Sequence, residues 1–151
     1  MKEQLNFKIE LISPEQVIAV RQPVLRKGKP IEACIFDGDD LPTTFHVGIF
    51  INGSLVGVVS FMENKHPLFE EENQYQLRGM AVLESYQFKG LGYEILKYGE
   101  SLLIKKGIKM CWCNAREIAV DFYRKNNYTI KGDPFLIPEI GIHYVIHKNL
   151  Q

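Results

Sequence analysis

Much that would assign this chain quickly is missing from it. It has three cysteines, Cys34, Cys111 and Cys113. That is too few for a disulfide framework, and the spacing lacks the C-x-x-C pair of a zinc site, so no metal is expected. Cys111 and Cys113 share a face of a strand and read as buried small hydrophobes rather than metal or redox groups. The odd count and the lack of a leader fit a reducing compartment, and a cytoplasmic location is expected. Met1–Phe7 mixes charged and polar residues and cannot form the apolar core of a secretory signal. No apolar run is long enough to cross a bilayer, so no membrane partner is expected. Lys and Arg number 18, Asp and Glu also 18, and the formal net charge is zero. This excludes a nucleic-acid binder working by charge alone and leaves open only a local basic patch. Phosphate and hydrolase signatures are absent as well. G-x-G-x-x-G would need glycine where Ile95 stands, and neither G-x-x-x-x-G-K-[ST] nor G-x-S-x-G occurs. No repeat, linker or low-complexity tract interrupts the 151 residues, so one domain, 1–151, is expected.

What is present is a clear succession of elements. Phe7–Ile12 alternates apolar and polar residues, as a strand does. Ser13-Pro14 starts a helix carrying Val17, Val20, Val24 and Leu25, with a kink or a break expected at Pro23. Phe36-Asp37-Gly38-Asp39-Asp40 is an acidic turn, read as a solvated loop in preference to a lip that binds a cation. Thr44–Ile51, Asn52-Gly53 and Ser54–Met62 make a hairpin, because both turn residues tolerate positive φ. His46 in its first strand reads as structural. Glu63–Asn73 is an exposed loop. Gln74–Leu83 is a strand apolar on both faces, hence central. A helix follows from Gly90 to Lys106, with Leu91, Ile95, Leu102 and Leu103 on one side, Gly99 as a small contact point and Gly107 as its cap. Ile108–Cys113 is a strand, and Asn114 caps a helix over Ala115–Asn126 that ends in left-handed asparagine. A strand from Tyr128, a loop framed by Pro134 and Pro138, and a strand over Ile140–His147 complete the chain. The order β, α, β, β, β, α, β, α, β, β requires a right-handed parallel crossover between Gln74 and Cys113 and an antiparallel hairpin before it. The fold class is therefore α/β (α+β), a mixed and mostly antiparallel central sheet with helices on its faces.

The most informative stretch is Leu77–Gly92. A buried strand runs into a tight turn, Gln87-Phe88-Lys89-Gly90-Leu91-Gly92, that opens a helix. Unpaired N–H groups and a partial positive charge make such a helix start an anion site. The turn reads as Q/R-x-x-G-x-G/A after a strand. A second pattern, Asn114-Ala115-Arg116 and then Ala119-Val120-Asp121-Phe122-Tyr123, follows in the expected order. Together they resemble the GNAT superfamily of N-acetyltransferases, and the likeness is anchored over Gln74–Tyr128.

The resemblance implies a single-domain GNAT-like acyltransferase with a parallel strand pair at the acyl-CoA site. Acetyl-CoA or coenzyme A would be the co-substrate, and the acceptor a small-molecule or peptide amine. The amides of Gln87, Phe88, Lys89, Gly90, Leu91 and Gly92 would take the pyrophosphate, with Gly90 and Gly92 allowing close approach. Met80, Ala81 and Val82 would bond the pantetheine through their backbone, and the Val82 N–H would serve the oxyanion. Asn114 would contact the pantetheine, and Tyr123 would protonate the departing thiolate. Apart from the resemblance, Arg116 stands at the start of the last expected helix, against its dipole, so contact with an anion such as a coenzyme A phosphate is expected of it. Three candidates stand for the base. Glu84 is a water-mediated base or a solvated turn carboxylate. His143 has a suitable ordinary pKa, or is a strand residue bonded to a backbone carbonyl. Glu139 is a base or binds the acceptor's cation. Phe88 departs from the small residue common in the turn, and its ring is expected over the cofactor or the neighbouring helix. Direct transfer is preferred to a Cys acyl-enzyme, since no thiol has a base or helix start in evident reach. The rivals are a catalytically silent acyl-CoA sensor on the same fold and a different α/β fold with chance glycines. The acceptor and the oligomeric state stay open, a homodimer being compatible with the sequence.

Overall fold

Strand alternation, paired turn residues and short caps produce the element order the sequence implies. The computed structural model describes residues 6–150. Most of the N-terminal segment read above as no secretory signal lies outside them. Strand β1 is Phe7–Ile12, β2 Phe45–Ile51, β3 Ser54–Glu63, β4 Gln74–Val82, β5 Met110–Arg116, β6 Thr129–Ile137 and β7 Gly141–Asn149. The helices are α1 Ile18–Leu25, α2 Leu91–Lys105 and α3 Val120–Lys125, with 3₁₀ turns at Ile31–Cys34, Glu84–Tyr86 and Glu117–Ala119. The strands form a seven-stranded sheet in the order β1-β2-β3-β4-β5-β7-β6. β4 and β5 are parallel, with Gln74 opposite Met110, while β1–β2, β2–β3, β5–β7 and β6–β7 are antiparallel. Among the described residues no helix is long and apolar enough to cross a membrane.

The chain divides into two compact units. One comprises the chain up to Met62 with Gly79–Gly99, the other Glu63–Arg78 with the chain from Glu100. In the first, Asn52 (φ 50°) and Gly53 (φ 81°) close the β2–β3 hairpin with Ile51 opposite Ser54. Paired positive φ gives a type I′ turn, whose twist matches that of the strands. Ser13 and Gln16 cap each other, Gln16 N donating to Ser13 Oγ (3.1 Å) and Ser13 N to Gln16 Oε1 (2.8 Å). The expected cap is present, yet α-helix begins only at Ile18, because the first turn is tightened by bonds such as Gln16 N to Ser13 O. Pro23 lies inside α1 and does not divide it.

Three further expectations change. Asn114–Arg116 continue strand β5 and do not begin a helix; pairing with β7 through Arg116 opposite His143 outweighs the capping preference of asparagine. Pro134 lies within β6, where the register shifts between Lys131 and Phe135. β6 ends the strand order, and a proline without an N–H is tolerated at an edge or a bulge. The acidic loop is only partly solvated, because Asp39 is buried.

Asp39 belongs to a polar network inside the first unit. The α1 stripe of Val17, Val20 and Val24 also carries Arg21, which is fully buried. Its guanidinium bonds Asp39 through both carboxylate oxygens (2.6 and 3.0 Å), the Cys34 carbonyl (2.9 Å) and Ser60 Oγ (2.9 Å). It also stacks 3.9 Å from the centre of the Phe36 ring. His46 continues the chain of bonds, with Nδ1 on Ser60 Oγ (2.6 Å) and Nε2 on the Asp39 carbonyl (2.9 Å). A carbonyl only accepts, so Nε2 carries the proton and Nδ1 accepts from the Ser60 hydroxyl. His46 is structural, as read. The network lies against Gly79 in β4. A Cβ there would stand 3.0 Å from Arg21 Nε and 3.3 Å from Phe36, and its φ of +63° is itself a glycine conformation.

Gly99 fixes the other approach in this unit. A Cβ on it would fall 2.1 and 2.3 Å from ring atoms of Phe61, which is fully buried and stacked on Phe45. Gly99→Ala gains about 1 kcal/mol of helix propensity, but the ring has nowhere to retreat and overpacking costs about 1–3 kcal/mol. Net destabilisation is expected in urea unfolding; an equal or higher midpoint would show that the ring can move.

Burial lowers the pKa of His46 below its ordinary 6.5, against the raising influence of the Asp39 carbonyl and carboxylate and of Glu15, with Arg21 reinforcing the fall. The unfolded chain therefore takes up a proton before the folded one. The stability held by neutral His46 is intact above about pH 6.5 and is lost as pH falls toward the lower folded value. His66 and His147 shift the same way, so the difference between wild type and His46→Gln isolates this residue. The variant should be less stable at about pH 7.5 and should lose less on going to about pH 5.5. Parallel profiles would show that His46 does not titrate in that window.

Candidate active site

In the first unit the end of β4 and the start of α2 are joined by a short, internally bonded connection. Leu83 N donates to Val56 O (2.8 Å), Tyr86 N to Leu83 O (2.8 Å) and Gln87 N to Glu84 O (3.2 Å). The Gln87 side chain then reaches back, Nε2 donating to the Val82 carbonyl (2.8 Å). Gln87 thus fixes the turn to the strand end. Glu84 sits exposed in its 3₁₀ turn, the position of a solvated carboxylate.

The turn itself has an alternating backbone. Phe88 has φ +63° and Gly90 φ +81°, whereas Lys89 between them has no positive φ. Alternation of this kind points successive N–H groups to one side and makes an anion-binding nest. Nothing lies within 4 Å of where a Gly90 Cβ would be, so the space above the turn is open. The nest leads directly into α2, whose first turn adds its own N–H groups. These features suit a diphosphate. Phe88 is the exception to local economy. The left-handed conformation costs a non-glycine residue about 1–2 kcal/mol, and the ring is fully exposed. It does not lie on a neighbouring helix, which removes one of the two expected positions.

In the second unit, alternation along β5 separates the other candidates. Cys111, Cys113 and Ala115 are buried on one face. Asn114, exposed, and Arg116, half-buried, lie on the other. His143 is directly opposite Arg116 in β7 and so shares its face. Arg116 ends a strand, so the argument from a helix dipole does not apply to it. Tyr123 in α3 is on the Cys113 face. It is buried and packs against Phe122 and Tyr128. Burial raises the Tyr123 pKa well above 10, which keeps the phenol protonated near neutrality. Burial likewise pushes the Cys113 thiol up to about 12 and raises Cys111, as expected of buried small residues.

His143 is buried, with Nδ1 2.8 Å from the Gly141 carbonyl. The carbonyl can only accept, so the proton is on Nδ1 and the lone pair on Nε2. Of the two readings of His143, the structure shows the bond to a backbone carbonyl, which leaves the lone pair of Nε2 unused by that bond. Glu139 is exposed in the β6–β7 turn with φ +69°. Sequence reasoning did not single out Glu100. It is buried in α2 and takes bonds from Tyr128 Oη (2.7 Å) and Lys148 Nζ (2.9 Å). Its signal was an acid within the helix stretch that carries Leu96 and Leu103.

Comparison with known proteins identifies the family. A family model described as the acetyltransferase (GNAT) family matches residues 12–128. A protein of Bacillus subtilis strain 168 named as the uncharacterized N-acetyltransferase YitI is 37% identical over 145 residues, 96% of this chain and 97% of its own. The crystal structure of the PaiA N-acetyltransferase of Thermoplasma acidophilum, in complex with coenzyme A, superposes with a TM-score of 0.71 at 17% identity, covering 96% of this chain and 99% of that one. An acetyltransferase of the GNAT family from Streptococcus pneumoniae gives a TM-score of 0.70 at 16% identity, over 97% and 100% of the two chains. At such identities the structures establish the fold, and the family match and the closer relative establish the kinship: the chain belongs to the GNAT family of acetyltransferases and is an acyl-CoA-dependent N-acetyltransferase.

Proposed function

We propose that the protein, as one catalytic domain over 1–151, moves an acetyl group from acetyl-CoA directly to a primary amine of a small molecule or peptide. The observation that carries the donor half is the alternating nest of Phe88, Lys89 and Gly90 at the start of α2, held to β4 by Gln87. The diphosphate of the donor lies on the N–H groups of Phe88–Gly92, the Gln87 N–H being spent on the Glu84 carbonyl. The pantetheine runs along the backbone of Met80, Ala81 and Val82, and the Val82 N–H donates to the oxygen that becomes negative as the amine adds to the thioester carbon. When the C–S bond breaks, the sulfur takes a proton from the Tyr123 hydroxyl. Burial keeps the phenol protonated near neutrality, so its proton is present when the thiolate forms.

His143 is the base we favour for deprotonating the acceptor, because its Nδ1 bond leaves Nε2 to accept. Glu84, exposed and better solvated, serves if the proton leaves through water. Glu139 supplies a negative charge for the acceptor's cation, Asn114 an amide for the pantetheine and Arg116 a charge for a phosphate. The raised, buried thiols support direct attack over an acyl-cysteine.

Coenzyme A at a hundred times its Kd should stabilise the protein by about 2.7 kcal/mol, read as a rise in Tm. No rise at saturating coenzyme A would sink the donor assignment. Tyr123→Phe should lower kcat by about 10²-fold or more on whichever amine of a panel is turned over, with coenzyme A binding nearly unchanged. An unaltered kcat would remove the phenol from the chemistry. Tight coenzyme A binding without turnover of any amine would favour the sensor.

A further inference from the structure

Phe88 has no role in holding the free protein together. Its ring is fully exposed, and its backbone is in a conformation that glycine or asparagine would adopt more cheaply. The turn needs the positive φ but has no need of the ring. The surrounding residues narrow what the ring could meet. The other exposed aromatic nearby, Tyr93 in the first turn of α2, already has Lys97 Nζ 5.6 Å from its ring centre. Lys89, next to Phe88, is exposed and cationic. The start of α2 therefore offers a bare aromatic face beside a positive charge, at the edge of a nest suited to a diphosphate.

We propose that Phe88 is the base-stacking residue of the donor site: its ring takes the adenine of coenzyme A, and Lys89 meets the ribose phosphate. This rests on the donor site proposed above. The adenosine of coenzyme A is attached directly to the diphosphate, so an aromatic ring on the diphosphate turn is within reach of the base. Every base has a π-face, and stacking on an exposed aromatic side chain is a sequence-tolerant source of affinity. The ring then favours the whole coenzyme over carriers that have the pantetheine arm without the nucleotide. The same contact accounts for the retention of a bulky residue at a left-handed position.

The test compares coenzyme A with 4′-phosphopantetheine, which lacks the adenosine, by isothermal calorimetry. Phe88→Asn keeps the left-handed backbone and removes the ring. It should hold or raise Tm and lower the ratio of coenzyme A affinity to phosphopantetheine affinity by about fivefold or more, and Phe88→Tyr should restore the ratio. In Phe88→Trp, indole emission, corrected for Trp112, should be quenched by coenzyme A and unaffected by phosphopantetheine. An unchanged ratio in Phe88→Asn, or equal loss of both ligands, would overturn the stacking assignment while leaving the donor site in place. Failure of the wild-type protein to bind coenzyme A at all would instead overturn the donor site, and the stacking role with it.

Discussion

The buried pair of Arg21 and Asp39 is the constraint on which the first unit depends. A guanidinium with no exposure is tolerable only if nearly every N–H is answered, and here a carboxylate, a carbonyl, a hydroxyl and an aromatic face do so. The partners come from α1, the 3₁₀ turn after it, the acidic loop and β3, so one side chain sets the spacing of four segments. Its edge also lies against Gly79, where β4 adopts a positive φ. The strand backbone immediately after that glycine, Met80–Val82, is the part assigned to the pantetheine. Placement of those amides thus rests on a charge pair with no part in the chemistry.

Polarity in the second unit is arranged differently. Cys111 and Cys113 each meet a tyrosine, and Tyr128 passes its hydroxyl proton toward Glu100, which Lys148 also neutralises. Soft, weakly polar sulfur lets two phenols be buried side by side without strong acceptors for both. On the other face of β5 are Asn114, Arg116 and, across the ladder, His143.

Legibility followed the range of the interaction. The Asn52-Gly53 hairpin, the Ser13 cap and the αL asparagine at 127 (φ 72°) are decided by neighbours in sequence, and residue type alone identifies them. Gly99 was readable as a small contact point, though not that Phe61 is what it contacts. The nest was readable as glycines opening a helix. The ending of β5 was not, because asparagine's capping preference is about 1 kcal/mol, whereas the ladder to β7 adds several bonds that only the fold supplies. Pro134 read as a loop because an edge strand with a bulge is a property of the sheet, not of the residue. Arg21 left one faint sign: a cation on the valine stripe of α1, with an acidic loop downstream.

One contact of His143 has a consequence for heredity as much as for chemistry. Its tautomer is chosen by the carbonyl of Gly141, and Gly141 has φ +124°, a region closed to most side chains. The position of a proton on an imidazole is therefore encoded two residues away, in a residue with no side chain. A change of that glycine would leave the histidine intact in any sequence comparison, yet would disturb the bond that holds its proton on Nδ1.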